Sequence, residues 1–116
     1  MDDVEQADLG AVPLHGADGV VWSLGSRFDL NANLVRLGPG GAVAEHVNDE
    51  VDVLLVVLAG SGRAVVDGRP VELLADRVVA VPRGARRAVS AGEAGLLHLT
   101  VHRQRGPLTI TSRPRR

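Results

Sequence analysis

Val53-Leu54-Leu55-Val56-Val57-Leu58-Ala59-Gly60, followed by Arg63-Ala64-Val65-Val66-Asp67-Gly68, opens the stretch whose reading decides the fold. The first segment is a continuous apolar run of strand length that ends at a glycine. The second alternates loosely and meets Asp67-Gly68, a pair suited to a tight hairpin because both residues tolerate positive φ. Val71–Leu74 then returns antiparallel. Val78–Val81 is a further apolar run, stopped by Pro82-Arg83-Gly84.

Upstream, Ala32–Leu37 reads as a strand closed by Gly38-Pro39-Gly40-Gly41, and Gly19–Leu24 as a first short strand closed by Gly25-Ser26. Downstream, Leu96–His102 alternates and forms the last long strand. Short strands separated by regular turn signals predict an all-β barrel or sandwich rather than a βαβ fold. No amphipathic helix of useful length and no internal repeat interrupts the pattern. Residues 1–18 are polar and irregular and read as a flexible N-terminal arm or an early edge strand. A single domain follows over 19–110, and 111–116 form a basic, solvated tail.

With 116 residues, one domain is favoured. Apolar residues make up 45% of the chain but aromatics only 2%, so the core must be built from Val, Leu and Ala. A net charge of −1 leaves no electrostatic footprint for nucleic acid or an anionic membrane. The absence of cysteine excludes a disulfide framework, a thiolate metal site and a cysteine nucleophile. Met1-Asp2-Asp3-Val4-Glu5 is acidic where a signal peptide is basic, and no apolar run reaches the length of a membrane span. A soluble, cytoplasmic protein is expected.

Two spaced sets of residues carry a family resemblance. Gly40, His46, Asn48, Val53 and Gly60 sit at the spacing of the first motif of the cupins. Asp76, Pro82, Gly84, Arg87 and Ala91 sit at the spacing of the second. Over about residues 30–102 the chain thus resembles a small single-domain cupin, which implies a cupin-type antiparallel β-barrel of the jelly-roll, or double-stranded β-helix, kind. Gly60 and Gly84 suit sharp backbone turns, Pro82 suits a strand end, and Asp76 can keep the positive φ of the family's glycine.

In metal-binding cupins three histidines and a glutamate hold a divalent ion. The four matching positions here are His46, Asn48, Val53 and Arg87. One imidazole survives, valine offers no donor, and a permanent guanidinium charge repels a cation. The resemblance therefore implies a degenerate metal site and no cofactor.

The expected ligand-binding residues are His46, Asn48 and Arg87. Arg87, if turned inward, needs a partner: Glu50 or Asp52 internally, or the carboxylate or phosphate of a ligand. The expected function is metal-independent binding of a small anionic organic molecule in an apolar barrel, anchored by Arg87. The alternative is a metal-dependent cupin enzyme, of dioxygenase or isomerase type, with His46, Asp52 and His98 as ligands. A third possibility is an interaction module without chemistry. Asp52 lies one residue from the lost glutamate, so only a bulge would turn it inward. On the last strand Leu97, Leu99 and Val101 are the natural inward set, leaving His98, Thr100 and His102 outside or in a subunit interface. Both faces of Val53–Leu58 are apolar, so one face needs cover from outside the barrel, and a homodimer is expected.

Overall fold

The computed structural model describes residues 4–105. Among them are seven strands: β1 (Gly19–Ser23), β2 (Leu30–Leu37), β3 (Ala42–Val47), β4 (Val53–Val66), β5 (Arg69–Leu74), β6 (Val78–Val81) and β7 (Arg86–Arg103). All pairings are antiparallel. The basic tail expected at 111–116 lies outside the described residues.

β4 and β7 are long because each runs through both layers of the barrel. In the first layer the C-terminal half of β7 lies between β2 and the N-terminal half of β4, with β1 and β6 at the edges. In the second, the N-terminal half of β7 lies between β3 and the C-terminal half of β4, with β5 beyond. The register of β4 against β7 shifts between Val57 and Ala59 and again between Gly60 and Gly62. Such bulges bend and twist a strand, which lets it pass from one layer to the other. Gly60 has φ +79° and Gly95, opposite it, φ +87°. A Cβ on Gly60 would run into the Gly95 carbonyl oxygen.

The run 53–58 and the segment 63–67 were expected as separate strands divided at Gly60. They are one strand, because the glycines there permit bending where they were read as an end. The Asp67-Gly68 hairpin forms as expected, with φ 50° and 79°. Asp76, standing where the family has glycine, takes φ 72°.

The inner faces meet in a core of Leu37, Val53, Leu55, Val57, Leu73, Val81, Val89 and Leu96 with neighbouring small residues. Each such side chain, fully buried, contributes about 1.5–3 kcal/mol. Part of the outer face of the first layer, around Leu34 and Arg36, is covered as well. Arg36, only 8% exposed, donates to the Pro13 and Ala17 carbonyls. Leu14 reaches to Gly60, and Glu5 accepts from the Gly25 amide. Residues 4–18 were read as part of a loose arm because their sequence lacks periodicity. Their anchors are the Pro13 and Ala17 carbonyls with the side chains of Glu5 and Leu14, which follow no period.

Candidate functional site

The interior opens at one end into a cavity of about 200 Å³, lined by Val35, Val43, Leu55 and Val89 with His46, Arg87, His98 and Thr100. The polar residues come from both layers. His46 on β3 and Arg87 on β7 are direct cross-strand neighbours, so their side chains share one face. An Arg87 guanidinium nitrogen lies 2.9 Å from His46 Nε2. The guanidinium can only donate, so Nε2 must be the lone-pair nitrogen. The other ring nitrogen, Nδ1, is 3.1 Å from the Ala44 carbonyl oxygen and donates to it. His46 thus takes part as the neutral Nδ1–H tautomer and aims Arg87.

No carboxylate pairs with Arg87 among the described residues. Burial, and secondarily the nearby Arg105 cation, lower its pKa from the usual value, which marks a cation short of compensating charge. Glu50 and Asp52, the expected internal partners, do not reach it. The Glu50 carbonyl accepts from Arg103, and Asp52 Oδ1 accepts from the Arg83 amide at 2.9 Å.

His98 corrects the sequence reading most. It was expected outside, yet it is 2% exposed and lines the cavity with Thr100, while Leu97 and Leu99 point to the opposite face. Alternation identifies an inner face only where the outer face meets water. Here the outer face packs against Leu34 and its cover, so it too is apolar. His98 Nδ1 is buried without a hydrogen-bond partner. Burial, followed by the Arg87 charge, pushes its pKa down to about 4. The ring is neutral at neutral pH.

Asn48 is not brought to the cavity. Its side-chain oxygen accepts from the Glu50 and Val51 amides and its carbonyl from the Gly84 amide, so it shapes the loop after β3. Asparagine is as suited to a turn as to a pocket. Asp52 is exposed and turned outward, with no bulge beside it, so the alternative set of His46, Asp52 and His98 is not assembled. Val53, at the family's glutamate position, is core.

A group of three or more potential metal ligands does not occur among the described residues. The cavity offers two imidazoles, and the guanidinium occupies the very lone pair that His46 would give to an ion. These residues do not fit a divalent metal.

The sequence reading also missed a polar rim. Asn31 and Asn33 pair with His102 and Thr100 across β2 and β7. Ser23 Oγ donates to Asn33 Oδ1 at 2.6 Å, and Asn33 Nδ2 to Asn31 Oδ1 at 2.7 Å. Thr100 Oγ1 donates to the Asn33 carbonyl at 3.4 Å. The period of two in Asn31-Ala32-Asn33-Leu34 was the signal.

The family model of the cupin domain matches residues 33–102. The chain belongs to the cupin family. This cupin is similar in structure to the cupin domain of Schizosaccharomyces pombe Cnp3, with TM-score 0.72 and 19% identity, over 85% of this chain and 73% of that one. A cupin protein of Bacteroides fragilis gives TM-score 0.72 and 19% identity over 93% and 90%. A predicted oxalate decarboxylase of Thermotoga maritima gives 0.60 and 23% over 63% and 64%. Likenesses at these identities carry the fold and nothing finer. No curated protein sequence matches the chain.

Proposed function

We propose that this cupin is a metal-independent, cytoplasmic binding protein for a small anionic organic molecule, with Arg87 as its anchor. One observation carries the reading: a half-buried guanidinium, aimed into an apolar cavity by a neutral imidazole, has no carboxylate partner among the described residues. A ligand carboxylate would supply the missing charge in a charge-assisted pair. His46 both orients Arg87 and borders the ligand space. The absence of cysteine fits a reducing compartment, and no helix among the described residues is long and apolar enough to cross a membrane.

The test is calorimetric titration of small organic acids against wild type and Arg87→Ala. Removing the guanidinium should weaken binding by about 2–5 kcal/mol. Equal affinities in the two proteins would refute the anchor. Elemental analysis of protein purified without a metal-affinity column should find little divalent metal, and a near-stoichiometric content would restore the metal-dependent reading.

The same proposal includes a homodimer. Leu54, 37% exposed, and Val78, 58% exposed, flank half-buried Val56 on the outer face of the first layer. A second copy presenting the same face would cover them. Light scattering after size exclusion that gave a monomer mass at micromolar protein would sink this part.

A further inference from the structure

His98 lines the cavity, and its Nδ1 is a polar atom that makes no hydrogen bond. It is buried, unpaired and close enough to Arg87 to feel its charge. Burying such a nitrogen without a hydrogen bond is unfavourable, and native interiors rarely leave one so. Cross-strand pairing sets the ring against Val35 and Val57, and of the other lining side chains Val43, Leu55 and Val89 are apolar, His46 and Arg87 bond each other, and Thr100 donates to the Asn33 carbonyl. A half-turn of the ring about Cβ–Cγ would present Nδ1 to the cavity, where a bound group can pair with it.

We infer that the cavity takes a short aliphatic hydroxy acid, its carboxylate on Arg87 and its hydroxyl on His98 Nδ1. This rests on the anionic-ligand reading above and adds the second recognised group. A hydroxyl fits because it both donates and accepts, so it pairs with Nδ1 in either tautomer of the neutral ring. The size follows from the space: 200 Å³ holds about six or seven waters, hence an acid of about six to eight non-hydrogen atoms. The chain between the two polar groups is aliphatic because the intervening wall consists of Val35, Val43, Leu55 and Val89.

Titrations with butyrate, 2-hydroxybutyrate and 3-hydroxybutyrate test this in wild type, His98→Leu and Arg87→Ala. At least one hydroxy acid should bind wild type about tenfold more tightly than butyrate, since a site built to bond a hydroxyl rejects the analogue lacking it. The advantage should vanish in His98→Leu, and all three acids should weaken in Arg87→Ala. If butyrate and both hydroxy acids bind equally, and still depend on Arg87, the hydroxyl inference fails while the anionic reading stands. A hydroxy-acid advantage that survives in His98→Leu also overturns the inference. If no acid binds, or Arg87→Ala changes nothing, both fail together. Nitrogen-15 NMR of the wild-type imidazoles gives a readout that needs no folded variant. The His98 Nδ1 resonance should move with a hydroxy acid and not with butyrate. A resonance unmoved by either means that water alone satisfies the nitrogen, and the inference is wrong.

Discussion

The two ends of the barrel solve opposite problems. At the closed end β4 and β7 cross between layers, and backbone nearly touches backbone at Gly60 and Gly95. A Cβ on Gly62 would likewise meet the Ser90 carbonyl oxygen. Side chains are excluded, and the glycines provide close packing. At the open end the inner faces carry Arg87, His46, His98, Thr100 and the two asparagines. One end is built by removing chemistry from the chain and the other by adding it, so stability and binding should respond to different residues.

The largest effect is expected at the closed end. Gly60→Val combines a positive φ with a backbone collision and should cost about 4 kcal/mol or more of stability. Chemical denaturation measures it. A loss below about 1 kcal/mol would show that the crossing can relax.

Next is the pH response of the open end, set by His98 with Arg87 and His46 facing it across the cavity. In the unfolded chain His98 takes up its proton near 6.5, in the folded protein only near 4. Above about pH 6.5 both states hold it neutral and it contributes no pH dependence. As pH falls between these values only the unfolded chain gains the proton, so stability drops, by about 3 kcal/mol in all. The difference between wild type and His98→Leu isolates this contribution. Parallel stability curves for the two proteins from pH 7 to 4 would place His98 in solvent.

The sequence disclosed one end far better than the other. Turns at Asp67-Gly68 and Asp76 could be read because positive φ restricts the residues that fit. Strand existence was also legible, although β3 was not singled out and Gly60 was taken for an end. The facing of His98 was not legible, since Leu97 and Leu99 satisfy an outer face that is itself buried. Nor was the role of Asn48, because its loop bonds depend on where three backbone amides lie. Spacing located Arg87, but only the cross-strand register made His46 its partner.

A smaller test concerns the turn before β6. Asp76→Ala places a residue poorly suited to φ 72° there and should cost about 1 kcal/mol, while Asp76→Gly should cost nothing. Equal losses in both variants would mean that the Asp76 side chain, not its backbone, matters.

The smallest expected effect sharpens the contrast between the ends. Ligand-free Arg87→Ala should melt within about 0.5 kcal/mol of wild type, because no carboxylate among the described residues depends on it. A marked destabilisation would reveal an internal ion pair and make Arg87 part of the scaffold.

The central place of β7 has a consequence for how the chain can be divided. In both layers β7 separates strands that come earlier in sequence, β2 from β4 in one and β3 from β4 in the other. A chain cut at the Asp67-Gly68 turn would leave an N-terminal piece with β1 to β4 and a gap in each layer. The C-terminal piece would hold β7 with no neighbour on either side along its whole length. Neither fragment can close a barrel alone, yet the two are complementary along the whole length of β7. Mixed together, they should reassemble into one barrel, with β7 inserting between strands of the other fragment.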